Sequence, residues 1–196
     1  MDIAVHRIRH ERKRLRKPKS AIGWCVGLIF LFPGQLFGLT NDITNDPSKV
    51  VEKYLSLDKR GARLNALSYE VLKPYTAWGE EPVWGQVVVI SEYTVAKDVD
   101  KWEIVSPVEA VIPVTYQNVG VIQWEAATFL TEIREETIHI RIKAVDNRWK
   151  MVSPQFPPHV GRKRLIDFVR DAQVNEGGKR RVERLQLLRE ALEQAG

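Results

Sequence analysis

The stretch QVVVISEYTV, residues 86–95, marks the point at which the periodicity of the chain changes. β-branched and aromatic residues dominate it, as they do in strands. Before it the apolar residues follow helical spacing, and after it they alternate, first in PVEAVIPVTYQNVGVIQW (107–124) and then in ETIHIRIKAV (136–145). Helices followed by a run of antiparallel strands predict an α+β fold.

Two helices are predicted upstream of this strand. In DPSKVVEKYLSLDKRGARL (46–64), Asp46 is a natural N-cap, and Pro47 suits the first helical position because its missing N–H would be unpaired there anyway. This helix should end at Gly61, since glycine tolerates the left-handed conformation found just past a helix C-terminus. A second helix is predicted from about Ala62 to Leu72.

Downstream, the predicted strand 136–145 places its isoleucines on one face and His139 with other polar residues on the opposite face. The segment DNRW (146–149) predicts a tight turn into a further strand, and hence a hairpin. Pro113 should mark a bulge or an edge position, because proline cannot donate to the ladder. Residues 125–134 are compatible with either strand or turn.

The C-terminal part returns to helical spacing. PPHVGRKRLIDFVRDA (157–172) is predicted as a helix that completes the domain, which we bound at residues 44–172. Residues 173–196 form a predicted helical tail with a leucine stripe, expected to lie outside the domain core. A second copy of the chain is one candidate partner for this stripe, so a homo-oligomer is possible.

The N-terminus separates basic from apolar residues. Residues 1–20 carry eight Lys or Arg against two carboxylates, so the formal net charge of +5 leaves the remaining chain at −1. The nearly neutral remainder argues against a nucleic-acid-binding face. The uncharged segment 21–39 follows, and basic then apolar is the layout of a secretion signal or a membrane anchor.

Three interpretations of residues 21–39 stay open: an uncleaved anchor, a cleaved signal and a buried cytosolic segment. The first two place the domain outside the cytoplasm, either anchored in the membrane or secreted to the periplasm. The sole cysteine, Cys25, lies in this segment, so the exported part has no internal disulfide and no thiolate for metal binding or catalysis. No His, Asp and Glu cluster has metal-ligand spacing, and no motif predicts a cofactor.

The order of elements, together with the stretches 46–64, YTAWGEEPVWGQVVVISEY (75–93) and RWKMVSP (148–154), resembles the nuclear transport factor 2-like superfamily over about residues 44–153. That resemblance implies a cone in which helices packed on a curved antiparallel sheet leave a pocket. Within the superfamily the cone serves steroid isomerases, dehydratases, transport adaptors and assembly domains, so the fold does not assign a function. No spacing here matches the isomerase pattern of a carboxylate base with a tyrosine and a second acid, and its catalytic roles are not carried over.

Two groups of residues are candidates for structural or binding roles. Asp58 lies in the last turn of the first helix, where a carboxylate opposes the helix dipole and needs a cation. We expect an ion pair with Arg63 (or Arg60) that closes the helix corner; a pocket acid and a solvated carboxylate are the alternatives. Trp78 and Trp84 flank a loop and are expected to plug the wide end of the core or to line an apolar ligand mouth.

The remaining candidates lie on predicted strands. Tyr93 and Tyr116 are candidate pocket residues. His139 is expected on a solvated face, and it becomes the best general acid or base if that face is the interior of the cone. His159 is expected to be exposed near the start of a helix. The favoured function is a non-catalytic binding domain for a small apolar ligand or an envelope partner protein, with a cofactor-independent isomerase or dehydratase and a self-assembly domain as alternatives.

Overall fold

The computed structural model describes residues 46–195, which belong to one compact unit, Thr40–Gly196. Helices and a strongly curled half-barrel sheet make it an α+β fold, as the sequence predicts. Within the described residues no helix is long and apolar enough to span a membrane. The predicted basic arm and the apolar segment 21–39 lie outside the described residues.

The first helix, α1 (Pro47–Lys59), has the predicted ends. The Asp46 side chain accepts a hydrogen bond from the backbone N–H of Ser48, so it caps the helix as predicted. Gly61 follows with a φ of +84°, a conformation that strains residues carrying a Cβ. The helix buries its apolar stripe, including Tyr54 and Leu55, against the sheet.

The predicted second helix is largely wrong. Residues 61–65 turn instead, and α2 (Ala66–Tyr69) is a single helical turn capped by Asn65. The Arg63 side chain is buried, where it bonds to Asp58, rather than on a helix surface. The backbone around it is therefore irregular and lacks the hydrogen bonds of a helix. Tertiary contacts override a weak helical pattern at this corner.

Six strands form one sheet with the order β5-β4-β3-β1-β6, and β2 also pairs with β3. All pairs are antiparallel except that between β1 and β6. Residues 125–134, left open by the sequence, contain the beginning of β4. The strands are β1 Gln86–Val95, β2 Glu103–Ser106, β3 Glu109–Gln123, β4 Thr128–Val145, β5 Arg148–Ser153 and β6 His159–Gly161.

Two features of the long strands follow from particular residues. Asp146 and Asn147 both have positive φ and make the tight turn of the predicted β4–β5 hairpin. The pairing of β3 with β4 shifts register between Asn118 and Gly120, not at Pro113. Pro113 instead lies between the part of β3 that pairs with β1 and the part that pairs with β2. This is a local edge position, where the missing N–H of proline breaks no ladder hydrogen bond.

Apolar cores lie on both faces of the sheet, and β1 contributes to both of them. Its Val88 and Ile90 belong to the core under α1, whereas Val87 and Val89 belong to a second core under the C-terminal helices. This double burial explains why the sequence of β1 begins as an unbroken apolar run rather than an alternation.

The C-terminal helices are α3 (Arg162–Asn175) and α4 (Lys179–Gln194). The observed helix α3 therefore begins five residues after the predicted start at residue 157, because His159–Gly161 form β6. The leucine stripe of α4 is buried in the second core, with Leu185 and Leu188 each 2% exposed and Leu192 fully buried. The prediction that this stripe lies outside the domain core is wrong, since the chain covers it with its own sheet and α3.

Candidate functional site

A buried polar cluster lies where α1 ends. The Asp58 carboxylate is fully buried, and its Oδ2 accepts from Arg63 Nη1 at 3.3 Å and from the backbone N–H of His159 at 3.0 Å. The structure therefore brings Asp58 and Arg63 together. Because α2 is so short, their pair joins the end of α1 to β6 rather than closing a helix hairpin.

Arg63 is shared between two carboxylates. Its Nε donates to Glu81 Oε1 at 2.6 Å, and Nη2 contacts both that carboxylate and the backbone carbonyl of Phe156. One guanidinium thus connects three separate chain segments through its several donors, a geometry that lysine could not reproduce. Burying it without these partners would cost several kcal/mol.

Burial dominates the electrostatics of Asp58. It raises the pKa of the carboxyl to about 6, and the attraction of Arg63 opposes the shift without cancelling it. Oδ1 is buried with no hydrogen-bond partner among the described residues, so no hydrogen bond at this oxygen is lost when the carboxylate becomes protonated. Asp58 is consequently a buried acid that titrates near neutrality, although it is closed off from solvent.

His159 is the residue that sequence reasoning placed wrongly, because it is 2% exposed rather than solvated. Its Nδ1 donates to the Pro157 carbonyl at 2.7 Å, and its ring lies against that of Tyr116 with the centroids 4.3 Å apart. Burial, together with the repulsion of Arg63, lowers the pKa of His159 to about 4. The imidazole is therefore neutral at pH 7.

The error at His159 has a specific origin. The strand β6 has only three residues and follows two prolines, so it carries no periodic signal. It exists because it pairs in parallel with β1, residue 159 opposite Val88. Such a pairing partner lies some seventy residues away in the chain and cannot be read from local sequence.

The other strand candidates do not converge on one site. Tyr116 is 1% exposed in the core under α1, and the ring of half-buried Tyr93 is 6.4 Å from it between centroids. His139 lies on the exposed face of β4, opposite the buried Ile140 and Ile142. The interior face of the curled sheet carries these isoleucines, so His139 does not face a pocket of the core.

The two loop tryptophans have different environments. Trp78 packs against the core under α1, its ring edge-on to Tyr54 with centroids 6.5 Å apart. Trp84 lies outside that core, and its Nε1 donates to Glu81 Oε1 at 2.7 Å while Arg63 lies over its ring. Trp78 therefore packs as a plug of the core, whereas Trp84 does not.

Trp84 lines a cleft of about 260 Å³, which we call the Trp84 cleft. Its walls are mostly apolar and aromatic and come from the loop after α2, from β1, from the turn just after β3, and from α3, including Val87, Trp124, Leu165 and Phe168. Arg63 and Glu81 also line it, so their ion pair forms part of its wall. The cleft offers ring faces for an apolar molecule and a fixed polar edge.

Comparisons with protein-family models, with curated proteins and with solved structures give no match. Among residues 46–195, no group of three His, Cys, Asp or Glu side chains is placed to hold a metal ion. The chemistry of this chain has therefore to be argued from its own geometry.

Proposed function

We propose that this domain is a non-catalytic binding module that holds a small, largely apolar molecule in the Trp84 cleft. The cleft is the observation behind this proposal, because it is concave, has aromatic walls and includes the largely buried ion pair of Arg63 with Glu81. Ligand sites combine these same ingredients: mostly apolar walls with a few convergent polar groups. The volume of about 260 Å³ suits a molecule with one or two rings.

The energetics set an expected affinity range. A one- or two-ring ligand that buries about 200 Å² of apolar surface would gain about 5 kcal/mol at roughly 25 cal/mol per Å². The loss of translational and rotational freedom opposes this gain. A gain of about 5 kcal/mol with no opposing cost would correspond to a dissociation constant of about 0.2 mM. A neutral ring compound should therefore bind in the millimolar range or more weakly, and a ligand that also bonds with the Glu81 edge should bind more tightly.

The buried cluster favours binding over catalysis. The Asp58 carboxylate and the His159 imidazole are groups of the kind that an isomerase or dehydratase uses, but both are sealed inside the fold at 0% and 2% exposure, and the contact between the two residues is made by the His159 backbone N–H. A substrate would have to displace the packed rings of Tyr116 and Phe156 to reach them. The hydrogen bond from the His159 backbone N–H to Asp58 Oδ2 supports a structural role, in which it helps to hold the wall of the Trp84 cleft in place.

A self-assembly role has less support. The leucine stripe that suggested it is buried within the chain. The part of β4 that precedes its pairing with β5 carries Glu132, Arg134 and Glu135, all exposed, and charged residues on a strand edge discourage edge-to-edge pairing. We retain the resemblance to the nuclear transport factor 2-like superfamily, and the location outside the cytoplasm, as part of the proposal; the curled sheet supports the former and residues 1–39 motivate the latter.

The test compares two tryptophan variants in residues 41–196. Binding of indole, a neutral and soluble compound with two fused rings, is followed by saturation-transfer nuclear magnetic resonance, and native mass spectrometry of protein purified from cells reports any retained ligand. We expect Trp84→Ala to lower probe affinity at least tenfold, since the ring forms a wall of the cleft. Trp102→Ala is the matched control: its Nε1 bonds to the Ala96 carbonyl, and the residue does not line the Trp84 cleft. Equal probe binding by both variants would refute the assignment of the cleft.

A further inference from the structure

A second concave surface lies between the end of α1 and the start of α3. This groove has a volume of about 850 Å³ and shares no lining residue with the Trp84 cleft. Ile90 and Val119 contribute apolar side chains to it. Five cationic side chains line it together with a single carboxylate, Asp167, and we call it the basic groove: Lys59, Arg60, Arg162, Lys163 and Arg164.

The fold brings two separate basic segments together to make the groove. A Cβ placed on Gly61 would lie 3.2 Å from Arg164 Cγ, and a Cβ placed on Gly161 would lie 3.4 Å from Lys59 Cγ. The two glycines thus let the end of α1 and the start of α3 touch. About a hundred residues separate these segments in the chain, so local sequence gives no sign of the cluster.

Four of the five cations of the basic groove are poorly neutralised by the described part of the chain. Within residues 46–195, Lys59, Arg60, Lys163 and Arg164 form no ion pair. Asp167 is itself paired with Arg170 at 2.9 Å, which reduces its effect in the groove. Like charges held this close repel one another, and an anion between them would relieve that repulsion.

Two of these cations are already held in place by the fold. Lys59 Nζ lies 5.8 Å from the ring centroid of Tyr93, and the Arg164 guanidinium lies 5.9 Å from that of Phe168. Both side chains are half-buried. A ligand that pairs with them therefore does not have to immobilise two freely moving chains, which lowers the entropic cost of binding.

We propose that the basic groove binds a phosphate-bearing anion. Arginine forks match the oxygens of a phosphate bidentately, and lysine adds a compact positive charge. Several cations around one groove suit a group that carries more than one negative charge, rather than a single carboxylate. The volume and the apolar Ile90 and Val119 leave room for an organic part attached to the phosphate, so both a soluble phosphoester and the headgroup of an anionic lipid present the required chemistry.

The test uses isothermal titration of the full chain of 196 residues in a neutral detergent. The probes are inorganic pyrophosphate, dihexanoyl phosphatidylglycerol and, as a zwitterionic headgroup, dihexanoyl phosphatidylcholine. The groove variant is Arg60→Gln with Lys163→Gln, both exposed side chains whose replacement should leave the fold intact. The matched control is Lys179→Gln with Arg180→Gln, also exposed, at the start of α4 and outside the groove.

The two variants remove the same charge and keep the same basic N-terminal arm, so only the position of the lost charge differs between them. We expect the groove variant to lose at least tenfold in affinity for one anionic probe while the control stays within twofold of the parent, and affinity should fall as salt is raised. If the groove variant loses affinity for pyrophosphate alone, the ligand is a soluble phosphate. If it loses affinity for phosphatidylglycerol, the ligand is a lipid headgroup. Equal affinities for the two variants, or no binding of either anionic probe by the parent, would overturn the proposal.

Discussion

Asp58 and His159 should act in opposite directions on the pH dependence of folding. The folded-state pKa of Asp58 is about 6 against 3.8 for the unfolded residue, so its stabilising contribution is present below pH 4 and is lost as the pH rises through 6. The folded-state pKa of His159 is about 4 against 6.5, so its contribution is present above pH 6.5 and is lost as the pH falls through 4. Between pH 4 and pH 6 the two effects offset each other.

Single substitutions should reveal each half of this balance. A shift of roughly two pKa units corresponds to about 3 kcal/mol in the free energy of unfolding. As the pH rises from 4 to 7, the free energy of unfolding of Asp58→Asn should therefore increase by about 3 kcal/mol relative to that of the parent. Asn keeps the acceptor for Arg63 and cannot ionise. For His159→Phe, which keeps a ring against Tyr116, the free energy of unfolding should decrease by a similar amount relative to that of the parent as the pH rises over the same range.

The measurement is urea unfolding of residues 41–196, followed by far-ultraviolet circular dichroism at pH 4, 5, 6 and 7. Each variant is compared with the parent at the same pH, so contributions from the groups that both chains share cancel to first order. Constant denaturant slopes would show that the comparison reports stability rather than a change in the unfolded state. If the difference in free energy of unfolding between each variant and the parent does not change with pH, or changes in the same direction for both variants, the opposed titrations do not exist.

Three further predictions follow from the packing and the sequence. Asp58→Ala and Arg63→Ala should each destabilise the fold, and the double variant should fall short of their sum by about 1–2 kcal/mol; strict additivity in denaturant unfolding would show that the pair is not coupled. Gly120→Ala should cost about 2 kcal/mol or more, since its Cβ would lie 2.4 Å from a backbone carbonyl of β4, whereas Gly85→Ala, with nothing within 4 Å, should be nearly neutral in the same assay. A phosphatase fused after Gly196 should be active outside the cytoplasm if residues 1–39 direct export, and activity confined to the cytoplasm would contradict that topology.

Several parts of the fold could be predicted because they depend on neighbours in the chain. The cap at Asp46, the stop at Gly61 and the turn at Asp146 and Asn147 each need only a few adjacent residues with the right backbone preferences. The strand 86–95 was placed with its observed ends because its β-branched run is long and bounded on both sides. These elements fix the α+β class.

The second helix and the tail could not be predicted in the same way. Residues 62–72 carry a helical pattern, but Arg63 forms more contacts by entering the core than it would on a helix, so the helix is reduced to one turn. The leucine stripe of α4 reads as unpaired in the sequence, because its partners lie on β1, β3 and α3. Local pattern identifies an apolar face and does not identify what covers it.

The sequence by itself determined the first helix, the strand 86–95, the β4–β5 hairpin, the balanced charge of the folded part and the pairing of Asp58 with a nearby arginine. Only the tertiary structure decided the rest: that His159 is buried and neutral, that Trp78 and Trp84 serve different surfaces, and that two basic segments meet in one groove. Each of these depends on contacts between residues that are far apart in the chain. A pKa, a cleft or a charge cluster is a property of such contacts, so it does not exist until the sheet has closed around them.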